Sequence, residues 1–337
     1  MTTDHSTPPP TPTPQPAPAA PFDLITMGRS GVDMYPLQTG LGLEDVQRFG
    51  KFLGGTAVNV AVAGAALGHS AAIITGVGAD PFGTFIRREL RSMSVSDEFV
   101  TVVPGLNTPL AFCEIFPPDN FPLYFYREPV APDLMLTPGD VPDAVAAARI
   151  FWVTLTGMSA EPSREAHRTA LDRRARRPVT VVDLDYRPMF WSTEAEATAA
   201  AEELLTSATI AIGNREECRI AVGETEPERA ADALLDRGLD IAVVKQGPAG
   251  TLAKTRTERV EVPPTRVATL NGLGAGDAFG GAFCHGLLSG WSLERSIRAA
   301  SIAGAIVASR LECATAMPHE HEILALLGAD GAPPAKP

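Results

Sequence analysis

Lysine is scarce in this 337-residue chain, with Lys51, Lys245, Lys254 and Lys336 its only four. The net charge is −12, and no basic block or basic-aromatic interleaving occurs. Nucleic acid is therefore not an expected partner. Cys113, Cys218, Cys284 and Cys313 are far apart and form no CxxC pair. That argues against a zinc site or a disulfide framework and fits a reducing compartment. No apolar run reaches the ~18 residues that a spanning helix needs. The N-terminus also lacks the basic-then-apolar order of a signal peptide. A cytoplasmic protein with no membrane partner is expected. Two nucleotide-binding signatures are missing too. There is no G-x-x-x-x-G-K-[ST], and no G-x-G-x-x-G follows the first strand-like run, which argues against a P-loop enzyme and a dinucleotide-binding dehydrogenase.

Proline is abundant, and eight of the first 21 residues are proline. Residues 1–22 are expected to be a disordered, polyproline-like tail, and 326–337 a second flexible tail. Between them, strand-like runs alternate with helical ones. Asp23 to Gly28 reads as a strand, the small-residue run Thr56 to Gly68 as a helix and Ala71 to Val77 as a strand. Ile150 to Leu155, Val179 to Asp183, Thr209 to Ile212 and Ile241 to Val244 continue the series. Such alternation predicts an α/β fold with a mainly parallel sheet covered on both faces. The runs Phe99 to Val103, Leu110 to Phe116 and Leu123 to Arg127 have no helix between them and read as a small β lid. With residues 32–52 they place the lid at about 32–52 and 99–128 of one domain spanning 23–325.

The most informative stretch is Asn271-Gly272-Leu273-Gly274-Ala275-Gly276-Asp277, followed by an apolar helical run. Glycine lets the backbone approach a ligand, and a helix start presents unpaired N–H groups and a positive dipole end. The combination suits an anion, with the Asp277 carboxylate at its edge to take a proton from an attacking hydroxyl. Phosphoryl transfer from a nucleotide to an alcohol is one reading; an N-capping aspartate after a flexible loop is the other. Asp33, just past the first strand, is placed to grip hydroxyls or merely to form a turn. Asn59 is an amide within an apolar helix and needs a partner, whether ligand or backbone.

Taken together, Gly54-Gly55 with Asn59, Gly76 to Gly83, Asn214-Arg215-Glu216-Glu217 and Gly274-Ala275-Gly276-Asp277 resemble the pfkB, or ribokinase-like, sugar kinases over about residues 23–320. The resemblance implies a three-layer α/β/α core with a β lid, ATP as phosphoryl donor and Mg²⁺ as cofactor. It implies Asp277 as general base, with the amides of Gly274, Ala275 and Gly276 forming the anion hole. Asn214 and Glu217 would organise the Mg²⁺–phosphate region through water, and Lys245, Gly247 and Gly250 would flank the nucleotide. Asp33, Gly54, Gly55 and Asn59 would hold the sugar. Within the family, Met27 to Pro36, Phe49 to Gly55, Cys113 to Pro118 and Phe121 to Pro129 are similar to the branch acting on keto-deoxy sugar acids. An acid needs a cation, and Lys51, Arg127 and Arg187 lie in the sugar-side segments. Two departures stand out. Asn271-Gly272 replaces the Asp-Thr of many members, which puts the monovalent-cation site in doubt. Ser301 stands where an asparagine often meets the base. The resemblance also implies a homodimer formed through the lid. Rival readings are kinase action on 2-keto-3-deoxygluconate or fructose, and a non-catalytic sugar sensor.

Overall fold

The computed structural model describes residues 22–177 and 179–329. Of the expected tails 1–22 and 326–337, residues 1–21 and 330–337 lie outside them. In chain order the elements are β1 (Leu24–Met27), β2 (Gly31–Pro36), β3 (Phe49–Gly54), α1 (Thr56–Ala66), β4 (Ala71–Gly78), α2 (Pro81–Ser92), β5 (Val95–Ser96), β6 (Val100–Val103), β7 (Leu110–Cys113) and β8 (Leu123–Tyr126). There follow α3 (Ala144–Ala147), β9 (Ile150–Thr154), α4 (Ser163–Arg174), β10 (Thr180–Asp183), α5 (Glu194–Ser207), β11 (Ile210–Asn214), α6 (Arg215–Val222) and α7 (Pro227–Asp236). The chain continues with β12 (Ile241–Lys245), β13 (Thr251–Lys254), β14 (Arg259–Val262), α8 (Ala275–Leu288), α9 (Leu293–Ala308) and α10 (Glu320–Ala329).

The central sheet runs β14-β13-β12-β11-β10-β9-β1-β4-β5, with β6 also on β4. From β12 through β1 to β4 every pair is parallel, and β13 and β14 add an antiparallel edge. β1, β4, β9 and β10 are buried along their whole length. Their continuous apolar runs are what a parallel strand covered on both faces requires. One core joins the sheet to α1, α2, α8 and α9, and the other joins it to α3–α7. Small residues set the spacing of the first layer. A side chain at Gly280 would meet Trp152 at 2.5 Å, and one at Gly281 would run into Ala63.

A separate four-stranded sheet, β3-β2-β7-β8, forms the lid. The expected lid boundary needs correction, because Val100–Val103 pairs in parallel with Thr75–Gly78 of the central sheet. Its partner is remote in sequence, so adjacency to the other lid runs misled. Phe22 also belongs to the fold: its ring packs on Phe99 at 5.8 Å. At the other end α10 continues to Ala329, so residues 326–329 are helical.

Candidate active site

The carboxyl ends of the parallel strands deliver the polar groups, as open α/β sheets do. Arg29 follows β1, Asp183 ends β10, Asn214 ends β11 and Lys245 ends β12. Asn214 and Lys245 are register partners. Over this edge comes the glycine loop. Gly274 caps α8 with φ 77° and no side-chain bond, and a Cβ there would meet Cys313 Sγ at 2.7 Å. The helix begins at Ala275, three residues earlier than its apolar run indicated, so the N–H groups of its first turn have no carbonyl one turn back. Asp277 lies in that turn. Its Oδ2 accepts from Asn59 Nδ2 at 2.7 Å, which ties α8 to α1. Burial raises the pKa of Asp277, with the Asn59 bond opposing.

Two cavities meet at this loop. The narrower, about 60 Å³, is lined by Gly274 and Asp277 together with Asp33, Gly55, Asn59 and Arg187. Tyr35 also lines it, and its hydroxyl donates to Asp33 Oδ2 at 2.7 Å. Burial lifts Asp33 to a pKa of about 6 despite that bond and Arg29. Gly54 is close enough that a side chain there would overlap the Asp33 carboxylate. Asn59 Oδ1 and Arg187 Nε are buried with no hydrogen-bond partner, so the wall offers an acceptor and a cationic donor. Asp185 sits between two arginines, Arg29 at 3.0 Å and Arg187 at 2.9 Å. Burial alone would raise its pKa, but Arg187 and Arg29 hold it below the ordinary value.

The wider cavity, about 720 Å³, is lined by Ala275 and Gly276, with Lys245, Gly247, Gly250 and Ser301 around it. Burial works against a charged Lys245, yet Glu217, Asp183 and Asp277 raise its pKa. The pKa of Asp183 is raised as well, but by burial, which carries it up to about 8 against the opposing charge of Lys245. Asn214 and Glu217 form a reciprocal cap on α6, with Asn214 N–H donating to Glu217 Oε2 at 2.6 Å and Glu217 N–H to Asn214 Oδ1 at 2.9 Å. Asn271 is fully buried, donating from Nδ2 to Leu311 O at 2.7 Å and accepting from Leu273 N–H at 3.1 Å.

Two expected substrate contacts are not where the sequence put them. Lys51 is exposed, on the lid face opposite Asp33, with its ammonium 3.9 Å from the Phe85 ring centroid. Side chains alternate along a strand, so with Asp33 facing inward its cross-strand partner Phe52 does too, and Lys51 cannot. Arg127 pairs with buried Asp133 at 2.8 Å and stacks on Phe190, outside the narrow cavity's wall. The residues overlooked were Arg29, Tyr35 and Phe125, all lining that cavity. Arg29 had a readable signal, the first polar position past β1. Tyr35 is two residues from Asp33 and shares its face.

The chain belongs to the pfkB family of carbohydrate kinases, whose model matches residues 23–320, and it is accordingly a sugar phosphotransferase. Its fold is ribokinase-like. Among curated relatives, the 5-dehydro-2-deoxygluconokinase of Listeria monocytogenes serotype 4b is 34% identical over 312 residues, covering 91% of this chain and 96% of that protein. The protein of the same name from Bacillus subtilis is 31% identical, with the same coverage. A solved fructokinase with bound ATP from Xylella fastidiosa superposes with TM-score 0.81 at 25% identity, covering 92% and 99% of the two chains. An E. coli structure in complex with ATP and Mg²⁺ gives TM-score 0.83 at 21% identity, covering 91% and 99%. No helix among the described residues is long and apolar enough to cross a membrane.

Proposed function

We propose that this kinase transfers the γ-phosphoryl group of ATP to the primary hydroxyl of 5-dehydro-2-deoxy-D-gluconate, giving the 6-phosphate during myo-inositol degradation. The observation that carries the reading is the division of one loop between two cavities. Gly274 and Asp277 line the narrow one, Ala275 and Gly276 the wide one. An acceptor in the first and a nucleotide in the second would meet at the start of α8.

Asp277 accepts the hydroxyl proton. The freed oxygen bonds to the γ-phosphorus as that atom's bond to the β–γ bridging oxygen breaks, and ADP leaves. The unpaired N–H groups at the start of α8 face the charge on the moving group, where fixed donors lower the barrier most. Lys245 adds a cation on the nucleotide side. Mg²⁺, when bound, supplies further neutralisation of phosphate charge. Glu217 fits a water-mediated role toward it, since Asn214 N–H engages Oε2 and leaves Oε1 for water. On the acceptor side, Asp33 and Asn59 hold hydroxyls, and Arg187 meets the carboxylate with Arg29 behind it. The relatives' shared name supports the choice of acid. A coupled assay of ADP release decides it: kcat/KM for 5-dehydro-2-deoxygluconate should exceed that for 2-keto-3-deoxygluconate and for fructose. Faster turnover of either rival would replace the substrate assignment, and ATP binding with no turnover of any would favour a sensor.

A further inference from the structure

One hairpin of the lid reaches both cavities. Strands β7 and β8 are antiparallel from Leu110↔Tyr126 to Cys113↔Leu123. The pairing continues beyond them: Glu114 N–H donates to Pro122 O at 3.0 Å, and Phe116 and Asn120 exchange bonds at 3.0 and 3.2 Å. Successive side chains on a strand point to opposite faces, so Phe121, Leu123 and Phe125 form one inward row. Leu123 and Phe125 line the narrow cavity, whereas Phe121, with Pro118 and Asp119 of the hairpin tip, lines the wide one.

Phe121 also explains a residue of the glycine loop. A Cβ on Gly272 would lie 3.0 Å from the Phe121 ring, closer than ordinary contact. A side chain at 272 and this ring compete for the same space. The ring packs in addition on the small cluster of Tyr35, Cys113, Ile115 and Cys313, and Tyr35 holds Asp33. A continuous packed path thus runs from the acceptor-gripping carboxylate to the wall of the wide cavity.

We infer that Phe121 is a positioning residue that couples the two substrates: an acceptor that seats the lid hairpin also completes the nucleotide cavity, through a ring that fits only because residue 272 is glycine. This rests on the reading of the wide cavity as the nucleotide site. Coupling between binding sites is reciprocal, so each ligand must tighten the other.

The test measures dissociation constants for a non-hydrolysable ATP analogue by titration calorimetry, with and without saturating 5-dehydro-2-deoxygluconate. In the unmodified enzyme the acceptor should tighten analogue binding about fivefold or more. In Phe121→Ala that ratio should fall to about one, while analogue affinity without acceptor changes little. Phe121→Leu, which keeps an apolar filler, should retain part of the ratio and checks that the fold survives. Gly272→Ala should weaken the coupling, and the double variant with Phe121→Ala should be no worse than Phe121→Ala alone. Equal ratios in the unmodified enzyme and Phe121→Ala, or a ratio of one in the unmodified enzyme, would overturn the inference while leaving the kinase reading intact. Failure of the unmodified enzyme to bind the analogue at all would remove both.

Discussion

Arg187 and Lys51 are two cations from the sugar-side segments, and their surroundings give them different work. The Arg187 guanidinium is anchored by Asp185 at 2.9 Å and still has a buried Nε without a partner. Leaving a buried donor unpaired costs about 1–3 kcal/mol, so a ligand oxygen there is favoured. Lys51 rests on Phe85, on the lid face away from Asp33. A charge-assisted hydrogen bond contributes roughly 1.5–3 kcal/mol. Arg187→Ala should therefore raise KM for the sugar acid about tenfold or more while changing KM for fructose much less. Lys51→Ala should alter neither. Steady-state kinetics on both acceptors would expose an error if the two variants behaved alike, or if acid and ketose lost equally with Arg187→Ala.

Among the elements, the start of α8 matters most. Of its two glycines, only Gly274 has a left-handed backbone; Gly276 lies within the helix and has no positive φ. A methyl at 276 would approach only the flexible Lys245 Nζ, at 3.3 Å. Alanine is also the better helix former. Gly276→Ala should therefore leave the thermal midpoint unchanged or slightly higher, yet crowd the donors facing the phosphoryl group and lower kcat by about 10²-fold or more. Melting and kinetics on one preparation read both, and a stable variant with normal kcat would make the loop a mere connection. This element was legible in the sequence because three glycines precede an aspartate and an apolar run. Lid strand β8 was legible as well, and β6 was legible as a strand but not in its pairing. Four residues of β character carry no mark of which strand they join, and β6 joined β4 of the central sheet rather than the lid strands. The side of the lid on which Lys51 falls likewise depends on the register between β2 and β3, which local composition does not encode.

For the molecule as a whole, the lid has two faces of different character. The inner one closes the narrow cavity. The outer one carries Met34, Phe112, Tyr124 and Tyr126, with Phe112 packed on Phe49 at 5.5 Å and on Tyr126 at 5.4 Å. Tyr126 is 62% exposed and Tyr124 44%, an apolar surface of the kind that marks an interaction site. We propose that it pairs with a second copy. Tyr126→Asp should then shift the particle mass by light scattering from dimer to monomer, and a wild-type monomer would contradict the pairing. Beneath the lid the narrow cavity reaches Asp277 and the wide one reaches Ala275 and Gly276, so the two meet at the first turn of α8, where the proposed transfer puts its general base. The most direct measurement is kcat for Asp277→Asn, taken beside the affinities for acceptor and nucleotide. Loss of a general base costs about 10²–10⁴-fold, and the amide is nearly isosteric. In this variant kcat should fall by that much with both affinities nearly unchanged; a variant keeping more than about half the wild-type kcat would show that Asp277 is not the general base.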